Sequence, residues 1–441
     1  MNSSFYNGVS GVKTSQFGMD VWSNNITNIN TAGYKYATPE FSTVFSQSFN
    51  EQYGASSTND NGLGSKEVAS AIHMSMGSLV QTDSQFDLAI EGKGFFGIQD
   101  NGGNVYYTRN GAFSRDGEGN LVDTFGNYVL GQSAYNISSD GIVTNEDVGD
   151  IQLNDVETRE KINLPDKLTL PAKQTTYVKM QGNLDSTPIY TIDENGQKVE
   201  KANVEVYRSE LFKNDGGKNF LEIVFTKQVP QQDVNIVWNA TAKVTDEEGN
   251  VLSTEKGVLT FDGTGAFVSN TLDSIKSDGI DVKLDFGTPK NLSDPYSGRD
   301  GLVSYNSDID GKKIIKDGHT LGSLTDYGVD SLGNIQAIFD NGKSVPIYKV
   351  MVFDFRNEQG LNQTSPIYFQ ESPNSGKPSF LKDKNGQTVQ QNITNGHLEM
   401  SNVELSTAMT ELIVMQKAYE ASAKSITTSD QMIQNAINMK K

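Results

Sequence analysis

Residues 401–441 have the sequence SNVELSTAMTELIVMQKAYEASAKSITTSDQMIQNAINMKK, without a glycine or a proline. Apolar and small residues recur there at alternating intervals of three and four, which keeps one stripe of a helix facing a partner helix. The stripe consists of Leu405, Met409, Leu412, Gln416, Tyr419, Ala423, Ile426, Asp430, Ile433 and Ile437. We therefore predict a C-terminal helix from about Asn402 to Asn438 with a coiled-coil type of seam. Ser401 and Glu404 form the S-x-x-E pattern of a capping box at its start.

A second helix is predicted near the N-terminus. Helical spacing relates Phe5, Val9, Val12, Met19, Trp22, Ile26 and Ile29, and the pattern stops at the helix-breaking run 30–34. Two amphipathic helices in one chain can form an intramolecular hairpin that packs on the rest of the protein. Small polar residues beside the N-terminal stripe, such as Asn25, favour close contacts on several sides. We predict that the helices pair and that both stripes mediate self-assembly between subunits.

The composition excludes several classes of function. The chain has 441 residues, no cysteine and a net charge of -19. Disulfides, thiol catalysis and thiolate metal sites are therefore ruled out. Both ends are close to neutral, so the negative charge belongs to residues 37–396, and this acidity disfavours nucleic acid and anionic membranes. We expect neither a signal peptide nor a membrane span, because no basic start precedes an apolar run and no run reaches about 18 apolar residues.

The middle of the chain is predicted to be β-structure. Apolar residues alternate at period two within residues 221–225, 234–244 and 280–286, and turn sequences separate these runs. We predict an α+β fold, mainly β, with antiparallel barrel or sandwich domains nested between the terminal helices. The predicted domains are a helical core of 1–34 with 397–441, an extended linker arm of 35–76 with 386–396, an inner β-domain of 77–158 with 300–385, and an outer β-domain of 159–299 inserted in the inner one.

One glycine pattern is typical of cofactor binding, but its context is wrong. Gly92-Lys93-Gly94-Phe95-Phe96-Gly97 matches the dinucleotide-binding fingerprint. A turn at residues 100–103 follows where that fingerprint requires a helix, whose N-terminal amides would bind the pyrophosphate. We interpret these glycines as part of a β-hairpin and predict no cofactor.

No metal or catalytic site is predicted either. Asn306, Asp308, Asp310, Gly311 and Asp317 occupy positions of a calcium-binding loop, but its first and last ligands are replaced and flanking helices are missing. An acidic surface turn is favoured at residues 306–317, and calcium binding stays the alternative. His73, His319 and His397 are far apart in sequence and form no zinc-binding or nucleophile-activating spacing. We predict that the protein is not an enzyme.

The two ends and part of the middle resemble the bacterial flagellar rod and hook family of axial proteins. Residues 23–35, SNNITNINTAGYK, are similar to the family's N-terminal motif except at Thr27, where alanine is usual. Residues 401–405 and 412–420 are similar to its C-terminal motif, and residues 87–96 and 107–113 to its central β-domain. Segments 168–185 and 357–376 resemble the hook branch of the family.

The resemblance implies a structural subunit of the flagellar hook. Such subunits polymerise with themselves into a curved hollow tube, a universal joint that transmits motor torque to the filament. The terminal helices would form the inner core of the tube, with Gln416 and Asp430 setting the register of the assembly. The implied partners are the distal rod protein, the hook cap, the hook–filament junction proteins and the flagellar type III export apparatus. The implied location is the extracellular part of the flagellum, reached without a cleaved signal peptide.

Two other hypotheses remain open at this point. A distal rod subunit of the same family would share the terminal motifs, although rod subunits generally lack a large inserted domain. A more remote alternative is an acidic extracellular β-rich hydrolase or calcium-binding module. Such a module would bind a ligand saturably and would keep its activity after both chain ends were removed.

Overall fold

The computed structural model describes residues 3–439 except 45–63, 154, 195, 232–233, 292–293, 295–296, 309–310, 382–387 and 389–391. A helix lies at each end of the chain, and the regular structure between the helices is almost entirely β. The two helices pack against each other. The predicted fold class, mainly β with paired terminal helices, is confirmed.

The elements follow one another in this order. The first part contains α1 (Ser3–Thr27), β1 (Ala37–Thr43), β2 (Ser65–Ile72), β3 (Leu79–Gln81), β4 (Leu88–Glu91), β5 (Phe95–Gln99), β6 (Val105–Thr108), β7 (Phe113–Arg115), β8 (Leu121–Asp123), β9 (Tyr128–Ser133) and β10 (Glu160–Lys161). The middle contains β11 (Thr169–Leu170), β12 (Tyr177–Asn183), β13 (Ile189–Ile192), β14 (Lys198–Lys201), β15 (Val204–Phe212), β16 (Lys218–Lys227), β17 (Ile236–Thr245), β18 (Val251–Phe261), β19 (Phe267–Asn270), β20 (Ser274–Ser277), β21 (Ile280–Asp285), β22 (Leu302–Val303) and β23 (Lys313–Lys316). The last part contains β24 (Gly322–Val329), β25 (Asn334–Phe339), β26 (Ser344–Val350), β27 (Val352–Phe353), β28 (Asn362–Gln363), β29 (Tyr368–Gln370), β30 (Asn392–Asn395), β31 (His397–Glu399) and α2 (Leu405–Met439).

The chain divides into two compact units. The first comprises Met1–Asp166, Thr325–Ile338 and Ser344–Lys441, and the second comprises Lys167–Leu324 and Phe339–Lys343. This division differs from the predicted outer domain of 159–299, because residues 159–166 belong to the first unit and residues 300–324 to the second. Strands β22 and β23 both pair with β12 there, a long-range pairing that alternation within each strand does not reveal.

The core of the second unit lies between two sheets. One sheet is antiparallel in the order β15-β16-β17-β18-β19, and the other has the order β20-β21-β12-β22, with β23 also paired to β12. Side chains along β16 alternate between core and surface, as period two predicts. The second sheet is mixed, because β12 runs parallel to β21 and β22 and antiparallel to β23.

The β-domain of the first unit is built on one large sheet. Its main path runs β24-β25-β26-β9-β5-β6-β29-β28. Phe95, Tyr107, Phe353, Phe355 and Phe369 form an aromatic core on this sheet. Their rings meet edge to face at centroid distances between 4.7 and 6.0 Å, the geometry that aromatic quadrupoles favour.

The glycines of the dinucleotide-like pattern have a packing role in this domain. Gly92 and Gly94 adopt φ of +115° and +114°, which only glycine adopts without strain. Gly97 lies within β5, where a Cβ would collide with the ring of Phe353. No helix follows β5, which continues through a turn into β6.

The described part of 35–76 in the predicted linker arm forms a β-hairpin, whereas residues 392–395 of the arm form β30, which pairs with β4. Strand β1 pairs antiparallel with β2, from Ala37 opposite Ile72 to Thr43 opposite Ser65. Both strands pack against α1. Residues 45–63 of the predicted arm, and most of 386–391, lie outside the described residues.

Five hairpin turns share a sequence signal, Asp-x-x-Gly-Asn, that sequence reasoning missed. They run from Asp100 to Asn104, Asp116 to Asn120, Asp123 to Asn127, Asp246 to Asn250 and Asp330 to Asn334. In each turn the carboxylate accepts the backbone N–H of the asparagine, and the asparagine Nδ2 also donates to it. The asparagine hydrogen bond lowers the pKa of Asp100, Asp116 and Asp246.

The core of the second unit provides a stability test. Trp238 is fully buried, and its indole N–H donates a hydrogen bond to Ser304 Oγ at 3.0 Å. The Ser304 hydroxyl in turn donates to the backbone oxygen of Leu184, also at 3.0 Å. Ser304→Ala leaves two buried polar groups without a partner, so we expect a loss of about 1–3 kcal/mol of unfolding free energy. Urea unfolding followed by Trp238 fluorescence in a Trp22→Phe chain measures this loss.

The matched control is the exposed serine Ser269 in β19. Ser269→Ala should change the unfolding free energy by no more than ~0.5 kcal/mol. Equal stability of the two alanine variants would contradict the assigned role of Ser304.

Candidate functional site

Helices α1 and α2 lie antiparallel in close contact. Three glycines of α1 face α2, and a Cβ built on each of them would meet α2 atoms. For Gly8, Gly11 and Gly18 in turn, these atoms are Ile426 Cγ1 at 2.8 Å, Ser422 Oγ at 2.5 Å and Met415 Sδ at 2.7 Å. The residue numbers of the α2 contacts decrease as those of the α1 glycines increase, so the two helices run antiparallel. A side chain at Gly8 would also approach the backbone oxygen of Ser422, 3.2 Å from its Cβ, whereas at Gly18 only the flexible Met415 side chain would have to move.

The contact between the helices is a seam of mostly small residues, which we call the small-residue seam. Its contacts join Gly8, Gly11 and Gly18 of α1 to Ile426, Ser422 and Met415 of α2, and the buried residues Ser15, Trp22, Asn25, Ala408 and Ser429 follow the same spacing along the helices. Intervals of three and four relate them, as in a coiled coil. Ala408 and Ser429 are the buried residues of α2.

The predicted stripes lie mainly one residue away from this seam. In α1, Phe5, Val9, Val12, Met19 and Ile26 are only half-buried, Trp22 is buried, and Ile29 lies in the turn after the helix. In α2, Leu412, Ala423 and Ile426 are half-buried, whereas Leu405, Met409, Gln416, Tyr419, Asp430, Ile433 and Ile437 are exposed. The sequence prediction was based on hydrophobicity and therefore chose the larger side chains for the helix contact. In the structure, the helix backbones approach closely, which favours small side chains at that contact.

The predicted capping box at the start of α2 is wrong. Helix α2 begins at Leu405, and the first helical hydrogen bond runs from Ala408 N to Glu404 O at 2.9 Å, which makes Glu404 the N-cap instead of Ser401. Tertiary contacts hold the preceding segment extended. Asn402 Oδ1 accepts Tyr36 N at 2.8 Å, and its Nδ2 donates to His73 O at 2.9 Å.

The buried ion cluster Lys35–Arg109–Glu399, here called the anchor cluster, joins the base of the helix pair to the β-domain. Lys35 Nζ lies 2.5 Å from Glu399 Oε1, and Arg109 Nη1 lies 3.2 Å from Glu399 Oε2. All three side chains are at most 2% exposed. Sequence reasoning missed this cluster, although Lys35 and Arg109 belong to the quoted motifs.

Most of the other polar groups of the cluster also have partners, but Arg109 Nε is buried without a hydrogen-bond partner. Lys35 Nζ donates to Ser75 O at 2.7 Å, and Arg109 Nη2 donates to Gly92 O at 2.7 Å. Glu399 Oε1 further accepts Gly77 N at 2.8 Å. Burial lowers the pKa of both Lys35 and Arg109, and the Glu399 carboxylate opposes this shift. The carboxylate therefore favours the charged form of both desolvated cations.

The turn after α1 explains the residue types of the N-terminal motif. Gly33 has φ of +73°, and a Cβ there would collide with the backbone of Asn110. Asn25 is fully buried and exchanges two hydrogen bonds with Ala37, at 2.7 and 3.0 Å. Tyr34 donates to Asn25 Oδ1 at 3.0 Å, and burial raises the pKa of Tyr34 to about 12.

The sequence patterns considered for metal binding do not converge where the structure describes them. Asp317 accepts hydrogen bonds from the backbone of Thr176 and Tyr177, and Asn306 accepts one from Ser186. Asp310 lies outside the described residues. Among the residues described, no group of three acidic or histidine side chains is arranged to hold a metal ion.

The histidines are separate from one another. His73 stacks on Tyr36, with ring centroids 4.4 Å apart, while His319 and His397 each bond a neighbouring backbone carbonyl. In the described part of the chain, neither helix combines the length and hydropathy of a membrane span.

Three family models match the chain. They are "Flagella basal body rod protein" over residues 5–35, "Flagellar hook protein FlgE/F/G D1 domain" over 89–197 and "Flagellar basal body rod FlgEFG protein C-terminal" over 394–439. The first and last cover the helices of the small-residue seam. The C-terminal match also includes Glu399 of the anchor cluster.

Full-length relatives are similar to the whole chain. The flagellar hook protein FlgE of Borreliella burgdorferi is 29% identical and that of Treponema pallidum 27%, each with 100% of both chains covered. The flagellar hook protein FlgE of Salmonella typhimurium is 25% identical over 99% of this chain and 100% of its own. The crystal structure of the Helicobacter pylori flagellar hook protein FlgE2 matches with a TM-score of 0.50 at 15% identity, covering 73% of this chain and 100% of that one. This last likeness concerns the fold alone.

The anchor cluster predicts a large effect of neutralising Glu399. Glu399→Gln keeps the shape of the side chain but leaves Lys35 and Arg109 buried without a counter-charge. We expect a loss of about 3–5 kcal/mol of unfolding free energy. Urea unfolding of the first unit, followed by Trp22 fluorescence in a Trp238→Phe chain, measures this loss.

The control removes an exposed ion pair by the same change. Glu420 pairs with Lys417 at 2.9 Å on α2, and both side chains are more than half exposed. Glu420→Gln should cost no more than ~0.5 kcal/mol. If Glu399→Gln unfolded at the same urea concentration as this control, the anchor cluster would not stabilise the unit.

Proposed function

The chain belongs to the bacterial flagellar rod and hook family of axial proteins, and we propose that it is the structural subunit of the flagellar hook. In this function it polymerises into a curved hollow tube that transmits motor torque to the filament. The full-length similarity to proteins named flagellar hook protein favours the hook over the distal rod.

The observation that carries this proposal is the exposed apolar surface of α2. Met409, Ile413, Val414 and Met432 are each more than half exposed, and so is Ile437 near the end of the helix. The small-residue seam leaves these large side chains outside the helix pair. Large apolar side chains left exposed along a helix in this number indicate an interface with another protein. In a self-polymerising family, the partner is a second copy of the chain.

The predicted stripes therefore have a role that differs from the small-residue seam. The seam joins α1 and α2 within one chain, and the larger residues one position away form the surface offered to neighbouring copies. In α2 this proposed surface includes Leu405, Met409, Gln416, Tyr419 and Ile437. A polar residue such as Gln416 within an apolar contact can select one register of packing.

The anchor cluster supports torque transmission through the first unit. It connects the turn after α1, strand β31 before α2 and the β-domain through one carboxylate. A force applied to the helix pair thus reaches the β-domain through a buried contact instead of a solvated linker. The nested arrangement of helical core, arm, inner and outer domains remains part of this proposal, with the outer domain extended to residue 324.

The proposal includes the location and partners of the protein. The hook is a part of the flagellum outside the cell. Export through the flagellar type III apparatus without a cleaved signal peptide, and contacts with the distal rod protein, hook cap and junction proteins, follow from that position. The family is structural, and we propose that the chain has no enzymatic activity.

Met409→Asp tests the assembly surface. A charge at this exposed position should leave the monomer folded but block burial against another copy. Losing one buried methionine contact costs about 1.5–3 kcal/mol, so the concentration needed for polymerisation should rise by at least about tenfold. Sedimentation and electron microscopy of the purified protein measure this concentration.

The control places the same charge on an apolar residue outside the terminal helices. Val234 in the second unit is 86% exposed. Val234→Asp should polymerise like the parent, and both variants should melt at the parent temperature. Unchanged polymerisation of Met409→Asp would remove Met409 from the assembly surface.

Cells that lack this protein distinguish the hook from the rod. Electron microscopy of their basal bodies should reveal a complete rod without a hook. A rod that ends early would instead identify a distal rod subunit.

A further inference from the structure

A buried lysine and a buried asparagine face each other in the β-domain of the first unit. Asn334 on β25 and Lys349 on β26 are direct cross-strand partners in an antiparallel pair. Directly opposed residues point to the same face of a sheet. Asn334 is 3% exposed and Lys349 2% exposed, so both polar side chains are shielded from water.

One carboxylate oxygen bridges the two side chains. Lys349 Nζ donates to Asp150 Oδ1 at 2.7 Å, and Asn334 Nδ2 donates to the same oxygen at 3.0 Å. The amine and the amide thus lie within hydrogen-bond distance of one potential proton carrier. Burial lowers the pKa of Lys349, which favours the neutral, nucleophilic amine, although the Asp150 carboxylate opposes this shift.

The arrangement is particular to this turn. Asn334 ends one of the five Asp-x-x-Gly-Asn turns, and its Nδ2 also donates to Asp330 Oδ2 at 2.9 Å. In the turn from Asp246 to Asn250, the asparagine makes the same local bonds on an exposed hairpin. The turn geometry therefore explains the bond to Asp330, but it does not explain the approach of Lys349 and Asp150.

We propose that Lys349 and Asn334 form an intramolecular isopeptide bond, with Asp150 as the catalytic proton carrier. This proposal does not depend on the function in the flagellum. Proximity and orientation can supply most of the barrier reduction for such a reaction, because the amine and the amide are held beside one carboxylate. The chain has no cysteine, so a covalent tie between its strands requires chemistry of this kind.

The reaction balances without a cofactor. Asp150 takes a proton from the Lys349 ammonium, and the free amine attacks Asn334 Cγ. Asp150 then protonates Nδ2 and accepts a proton from the attacking nitrogen. The Cγ–Nδ2 bond breaks, the Cγ–Nζ amide remains, and ammonia leaves with the last proton as ammonium. Nothing is oxidised or reduced.

The intact mass of the purified full-length protein tests the proposal. We expect a mass lower than that of the sequence by one ammonia, and a proteolytic fragment in which the peptides of Asn334 and Lys349 are joined. A folded protein with the unmodified sequence mass would overturn the proposal. This measurement requires no variant, so it does not depend on the folding of a mutant.

Three variants assign the chemistry. Lys349→Arg retains the positive charge but provides no amine nucleophile, and Asp150→Asn removes the proton carrier, so both should have the unmodified mass. The matched control Asn250→Ala, which alters an equivalent turn, should still lose ammonia. An ammonia loss that persists in Lys349→Arg would indicate succinimide formation at an asparagine and would refute the isopeptide bond.

Discussion

The first unit depends on one buried carboxylate. Glu399 binds Lys35 from the turn after α1 and Arg109 from the β-domain, and its backbone carbonyl accepts Gly33 N at 2.7 Å. Buried charges are tolerated only when they are paired and fully hydrogen-bonded. The three charges are paired here, with Arg109 Nε left without a hydrogen bond, and they meet only when the chain ends and the β-domain come together. The cluster therefore specifies how the helix pair and the β-domain are joined.

Close packing of the helices has a consequence for their outer surfaces. Gly8, Gly11 and Gly18 allow α2 to approach until small residues such as Ser422 fill the contact. Met415 and Ile426 pack against these glycines, while other large apolar residues of the predicted stripes, such as Met409, are one position away and outside the contact. They remain on the surface of the single chain, where another copy can cover them. A helix pair built from large side chains would have buried this surface and left nothing for assembly.

The β-structure follows more directly from local signals. Period-two alternation placed the strands of the second unit, and the Asp-x-x-Gly-Asn turns fix where several hairpins reverse. Each of these turns is complete within five residues. The aspartate carboxylate accepts hydrogen bonds from the asparagine, and the glycine adopts the positive φ that the turn requires. Local chemistry of this kind can be predicted from sequence, because every partner is a near neighbour in the chain.

The sequence by itself determined the terminal helices, the β-character of the middle and the family, since these depend on the spacing of residue types along short segments. It did not determine which face of each helix contacts the other helix. Met409 and Ala408 are neighbours in sequence, and the smaller Ala408 allows two helix backbones to approach more closely than Met409 does. It predicted a capping box at Ser401, but Asn402 is held by Tyr36 and His73. It also could not place Glu399 beside Lys35 and Arg109, which precede it by 364 and 290 residues. Only the tertiary structure decided these features, because burial and close approach are properties of two surfaces together.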